Sequence, residues 1–224
     1  MDKLRVELKR SRRRTVSLEM DDRGTLTIRA PHNLKISAID KIVKGHQRWI
    51  QKKLKEVEWR QMLFRPKQFS AGEKFLYLGK EYPLFLVDRS KPVLGFNGKR
   101  FVVSSAHLHS AKAIFEKWYE RQGLIYLTER ASELSRLTGL RFKNFRVSSA
   151  RARWGSCSAK GTLSLSWRLM MAPPQIADYV IIHELAHTKE KNHSRAFWEV
   201  VGRFVPDYRE RRLWLKKNGF LLNL

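Results

Sequence analysis

The sequence predicts an α+β protein, and three observations carry that reading. Short stretches with strand-like alternation and turn signals dominate up to about residue 105. Apolar residues at helical spacing dominate beyond it. One hairpin-like pattern, near residues 144–169, interrupts those helices. At 224 residues, with 42% hydrophobic and 30% charged side chains, the chain can bury a core as one large domain or two small ones, which excludes wholesale disorder.

The elements follow in order. LRVEL alternates, and TVSLEM and TLTIRA flank Asp21-Asp22-Arg23-Gly24, a hairpin turn signature. Pro31 breaks the last of these strands. Ser37 with Asp40 resembles a capping box, and Ile39, Ile42, Val43, Ile50, Leu54 and Val57 then predict one amphipathic basic helix over 37–62. KFLYLG, YPLFLV and RFVVSS read as short strands, with turns at Gly72, Gly79, Pro92 and Asn97-Gly98. Ser110 begins a long helix to Leu137, with Ile114, Phe115, Trp118, Ile125, Leu127, Ala131 and Leu134 inward and Gly139 as its stop. FRVSSARARWGSC then turns at residues 158–161 and returns as TLSLSWRL. Pro173-Pro174 opens a further helix, Ser194 caps the next, and a last short helix ends at Gly219.

Composition narrows the context. A single cysteine, Cys157, excludes an internal disulfide framework and fits a reducing compartment. The basic N-terminus lacks the apolar stretch of a secretory signal, and no run approaches the roughly 18 apolar residues of a membrane span. A cytoplasmic location is the expectation. The charge is the outlier: 46 Lys and Arg against 21 Asp and Glu give +25. The excess is distributed along the chain, so there is no single basic tail. A field of that size favours polyanions and acidic partners, although it equally serves solubility.

Residues 183–193, HELAHTKEKNH, gather three of the chain's seven histidines. His183 and His187, four apart, share one helix face about 6 Å apart in rise, so both imidazoles reach one ion. Glu184 points off that line and reaches a metal-bound water as general base. The five-residue gap to His193 lets the helix end and the chain turn back with a third nitrogen. Three protein ligands leave one position open, which marks a catalytic rather than a closed structural site. The competing reading, hydrogen-bonded core histidines, is weakened by the apolar surroundings Val180, Ile181, Ile182, Leu185 and Ala186, where a buried polar trio needs a reason. Three nitrogens with no carboxylate ligand evident favour Zn2+, one per chain, over other divalent transition metals.

At these residues the chain resembles a known group. HELAHTKEKNHSRAFW, preceded by ARARWGSCSAKGTLSLSWRLMMAP, is similar to the YgjP-like metallopeptidase family, related to the WLM and SprT-like proteases within the zincins. The likeness is strongest over 145–220 and extends more weakly into the N-terminal half. It implies His183, His187 and His193 as metal ligands and Glu184 as the catalytic glutamate. It also implies a zincin-like catalytic domain, placed here at 106–224 after a β-rich basic part at 1–105, and a peptidase activity. The histidine spacing equals that of metzincins, but Glu190 stands where those carry glycine and no Met-turn follows.

Around the motif, zincins hold peptides by strand addition to an edge strand, and the 151–169 hairpin is the candidate. Arg151 and Arg153 alternate there as substrate-binding candidates, one of them to stabilise a developing oxyanion; plain surface or ion-pair arginine is the competing reading. Trp154 and Trp167 read as hairpin packing, and Cys157 as a small buried residue. Asp178 and Glu199 are equal candidates to orient a ligand histidine. Three functions follow. The first is a zinc peptidase acting on peptides or proteins, acidic or nucleic-acid-associated ones included. The second is a metal-dependent nucleotide phosphohydrolase (pyrophosphatase). The third is a nucleic-acid-binding protein with incidental activity.

Overall fold

The computed structural model describes residues 4–21, 23–63, 66–88 and 93–224. Contacts divide the chain into two units, Met1–Arg65 and Pro66–Leu224. Asp22 and Pro92, which belong to two of the predicted turns, lie outside the described residues.

In the first unit, β3 (Leu26–Pro31) is the central strand, parallel to β1 (Val6–Ser11) and antiparallel to β2 (Ser17–Met20). Alternation along β3 buries Leu26, Ile28 and Ala30 and turns Arg29 outward. The β2–β3 turn is closed by the Asp21 carboxylate, which accepts the N–H groups of Arg23 and Thr25 at 2.9 and 2.8 Å. The single helix expected over 37–62 is two helices, α1 (Ile36–Gly45) and α2 (Gln47–Leu63). His46 divides them. Its backbone leaves the helical region (φ −104°, ψ 14°) and its ring Nδ1 lies 2.8 Å from the Ile42 carbonyl. A carbonyl only accepts, so Nδ1–H donates there and caps α1. The periodicity ran through the break because Ile39 and Ile50, on either side of it, are both buried. Ser37 caps nothing: Lys35 holds the N-cap position and makes no side-chain cap bond.

In the second unit, β4 (Lys74–Tyr77), β5 (Lys80–Val87), β6 (Leu94–Phe96) and β7 (Phe101–Ser104) form a sheet in the order β4-β5-β7-β6. These strands share one core with the long helix α3 (Ala111–Thr138), as the stacked Phe75 and Phe115 rings 4.3 Å apart illustrate. The seam between units therefore falls after residue 65 rather than near 105, because the aromatic faces of these strands find their partners on α3. Buried positions on α3 advance in steps of four, from Ala111 through Phe115, Tyr119, Gly123 and Leu127 to Ala131. Ile125, expected inward, falls off that row and is 50% exposed. Ser110 donates its hydroxyl to the His107 carbonyl instead of capping, and Gly139 ends the helix as predicted, at φ 72°.

The third sheet, β8 (Asn144–Ser148), β9 (Gly155–Cys157) and β10 (Thr162–Ser166), has the order β8-β10-β9. Only β9 and β10 form the hairpin; β8 runs parallel to β10 on its other side. A side chain that sequence patterning does not see anchors the crossing between β8 and β9. Arg168 is 5% exposed, lies over the Trp167 ring at 4.3 Å, and donates to the Ser149 carbonyl (2.9 Å) and to Asn223 Oδ1 (3.1 Å). Three helices complete the unit: α4 (Pro174–Ala186), α5 (Arg195–Phe204) and α6 (Tyr208–Asn218). The start of α4 is fixed by the two-residue turn between β4 and β5, where Leu78 (φ 49°) and Gly79 (φ 78°) are both left-handed, as a tight hairpin requires. Leu78 N–H donates to the Met170 carbonyl at 2.7 Å, and a Cβ on residue 79 would lie 2.7 Å from Pro173 Cα. Glycine is needed there both for the conformation and for the approach. Among the described residues no helix is long and apolar enough to cross a membrane.

Candidate metal centre and its cleft

The trio is built where α4 stops. Tyr179 and His183 lie on successive turns of one face of α4, and His187 is its C-terminal cap. The N–H groups of Thr188, Lys189 and Glu190 then turn back onto the carbonyls of Leu185 and Ala186 at 2.9–3.0 Å. That turn brings His193 back towards α4, and Ser194 starts α5 by accepting the Phe197 N–H at 3.3 Å. As a result each of the three histidines offers a ring nitrogen, and these nitrogens lie within 4.8 Å of one another.

The donor set fits a divalent ion. His183 Nε2 and His193 Nε2 are 3.0 Å apart. Two nitrogens bound to one tetrahedral zinc at about 2.0–2.1 Å stand roughly 3.3 Å apart, so the spacing is near what a shared ion needs. His187 Nδ1–H donates to the Glu190 carbonyl at 3.0 Å, which leaves its Nε2 lone pair free to ligate. Burial, reinforced by His187, His193 and Arg212, pushes the His183 pKa down to about 3. Burial first, then the same neighbours His187 and Arg212, lowers that of His193. Both are therefore neutral at pH 7, which is the ligand form. The buried Nδ1 of His183 has no hydrogen-bond partner among the described residues. Asp178 and Glu199 do not supply one: Asp178 forms a bidentate pair with Arg130 at 2.7 and 2.8 Å, and Glu199 pairs with Arg195 at 2.8 Å. A backbone carbonyl does the orienting for which the sequence offered two acidic side chains.

Glu184 is 7% exposed and lies against β9, the open edge of its sheet. A Cβ built on Gly155 would sit 2.6 Å from Glu184 Cγ and 2.8 Å from Oε1. The carboxylate thus occupies the space a side chain at 155 would need. Burial raises the Glu184 pKa to about 7, opposed by Arg153. A carboxyl so placed exchanges a proton near neutral pH.

The trio and Glu184 open onto a cleft of about 1160 Å³. Arg153 lines it; Arg151 is exposed but does not. Trp154 also lines it and packs so closely on Gly219 that a Cβ at residue 219 would fall 2.6 Å from the indole. Trp167 is core, stacked on Tyr119 at 5.7 Å. Cys157 borders the cleft with its thiol pKa raised by burial. Sequence reasoning missed Gly155, Tyr179, Arg212 and Lys216, all of which line the cleft. Tyr179 was findable, since it precedes His183 by one helical step of four. The others follow from tertiary placement alone.

Comparison with known proteins bears on this site. A family model described as "YgjP-like, metallopeptidase domain" matches residues 14–218. The UTP pyrophosphatase of Escherichia coli (strain K12) is 33% identical over 70 residues, which is 30% of this chain. The chain spans 42% of that relative's length. The metallopeptidase zymogen of Pyrococcus abyssi abylysin is 24% identical at a TM-score of 0.37, over 40% of this chain and 93% of its own, a likeness too slight to bear on the fold.

Proposed function

The chain belongs to the YgjP-like metallopeptidase family, and on that premise we propose that it is a zinc-dependent peptidase with His183, His187 and His193 as ligands and Glu184 as general base. One observation carries the reading: three imidazole nitrogens converge within 4.8 Å while the carboxylate of the intervening residue is buried against the open edge strand β9. When bound, zinc supplies Lewis acidity, which acidifies water and polarises a carbonyl oxygen. The chain's own residues do the rest. β9, an edge strand of its sheet, would take an extended peptide by strand addition. Glu184 takes a proton from the attacking water and delivers it to the leaving amine nitrogen. Arg153, which lines the cleft, is the arginine we assign to the developing oxyanion.

The test is Glu184→Gln. This variant keeps its metal and its fold, and its peptide hydrolysis falls by at least about 1,000-fold, in line with loss of a general base and its proton delivery. Full activity in a metal-loaded E184Q protein refutes the mechanism. A second reading, hydrolysis of a nucleoside triphosphate, is supported by the likeness to the bacterial relative named UTP pyrophosphatase. Release of pyrophosphate from UTP, with no cleavage in a mixed peptide panel, decides for it.

A further inference from the structure

The cleft is electrically one-sided. Among the residues that line it are four cations, Arg153, Lys191, Arg212 and Lys216, and one carboxylate, Glu184. None of the four cations forms an ion pair among the described residues, whereas two arginines of α6 and α5 that face elsewhere, Arg211 and Arg195, are paired to Asp207 at 2.9 Å and to Glu199 at 2.8 Å. The contrast between Arg211 and Arg212, adjacent on α6, isolates the feature. One is paired along the helix and the other is left open towards the metal trio.

Two of these cations are held in place. The Arg212 guanidinium lies over the Trp198 ring at 5.2 Å, and Trp198 also stacks with Tyr208 (5.0 Å) and His193 (5.7 Å). A guanidinium seated on an indole loses rotamer freedom yet keeps its N–H fork open to an acceptor. Lys216 follows one helical step of four later and reaches the same cleft. Lys191 Nζ donates to the His187 carbonyl at 2.9 Å, which fixes its charge beside the trio.

We infer that Arg212 and Lys216 form a recognition subsite for an anionic group of the substrate, so that the enzyme selects peptides carrying Asp or Glu beside the bond to be cut. Arg153 and Lys191 extend the same positive field along the cleft. The inference rests on the hydrolase reading of the His183, His187 and His193 site, and it narrows the substrate class. A phosphate chain offers the same anionic oxygens, so the test separates the two sources.

The experiment uses the metal-loaded full chain and paired peptides that differ only by Asp/Glu against Asn/Gln beside the scissile bond. We expect about a tenfold advantage in kcat/KM for the acidic member, carried mainly by KM, since two partly exposed charge contacts together amount to about one decade. The advantage disappears in the double variant R212Q/K216Q. It persists in K52Q/K55Q, which removes the same charge from the exposed face of α2. Equal rates for the paired peptides, or a preference that survives in R212Q/K216Q, overturn the inference and leave the peptidase reading intact. If no peptide is cut while UTP is hydrolysed, the peptidase reading fails. The inference then stands or falls on inorganic triphosphate binding to metal-free protein by calorimetry. A roughly tenfold weaker affinity in R212Q/K216Q, but not in K52Q/K55Q, supports it, and equal affinities overturn it.

Discussion

Replacing Gly155 by alanine tests whether the position of one carboxylate governs turnover. The added Cβ would meet Glu184 Cγ at 2.6 Å and Oε1 at 2.8 Å. Carbon atoms pack best at about 3.5–4.0 Å, so roughly 1 Å of extra room must be found. The strand is tied to β10 through the Gly155–Leu165 pairing, and Glu184 is rooted in the buried last turn of α4, so what gives is the Glu184 side chain from Cγ outward, which carries the carboxylate with it. A misplacement of about 1 Å at a reacting group lowers rate by roughly 100-fold, and overpacking of this kind costs about 1–3 kcal/mol of stability. The imidazoles are contributed by α4 and the turn after it, whereas the three atoms nearest the new methyl all belong to Glu184. We therefore expect G155A to retain its metal, to melt a few degrees lower, and to lose about two decades in kcat/KM. Metal content by elemental analysis, a thermal melt and peptide kinetics on the same preparation supply the three numbers. The double variant G155A/E184A, which lacks the Cγ that the new methyl meets, recovers the melting temperature but not the rate. Wild-type turnover in metal-loaded G155A refutes the steric argument, and so does an activity loss that merely tracks metal loss.

Three further predictions follow from other parts of the chain. Arg168→Met strips the Ser149 carbonyl and Asn223 of their charged donor; the unmet acceptors lower stability by about 2–3 kcal/mol, seen as a lower midpoint in denaturant, and an unchanged midpoint counts against the anchoring role. The Asp21 carboxyl is held below its usual range by the Thr25 N–H above all, with that of Arg23 adding to it. Its folded pKa is depressed, so its contribution to the first unit is present above about pH 4 and is lost as pH falls through the folded value. D21A should weaken that unit by a few tenths of a kcal/mol at pH 7, with the difference from wild type closing as pH falls through the depressed folded value in acid titrations followed by circular dichroism. Removing the metal with a chelator abolishes hydrolysis. It also lowers the melting temperature, since a ligand at about 1,000 times its Kd adds about 4 kcal/mol to the folded state. Restoration by Zn2+ is expected, and a melt that is indifferent to chelator and metal would sink the site assignment.

The candidate site was more legible in the sequence than the architecture around it. Helical spacing fixes where His183, Glu184 and His187 project, so the local geometry follows from the order of residues alone. His193 needed only that the chain turn within five residues. The hairpin that carries β9 was likewise readable from alternation. What escaped has a common physical character, in that it depends on partners far away in sequence. Gly155 looks like any strand glycine until Glu184 is brought against it. Arg168 looks like a surface arginine until Trp167 and the Ser149 carbonyl surround it. The seam after residue 65 was hidden because the strands of 74–104 carry the same pattern as those of 6–31, and only their aromatic partners on α3 tell the two groups apart. The break at His46 was hidden because the apolar period does not lapse there.

The support of His187 by the Glu190 carbonyl carries a consequence for how this protein can drift. A main-chain oxygen is common to every amino acid, so exchanging the side chains of residues 188–192 cannot delete it. Tuning of the second histidine is written into the path of the chain rather than into any replaceable group, and it is vulnerable to insertion, deletion or proline there instead.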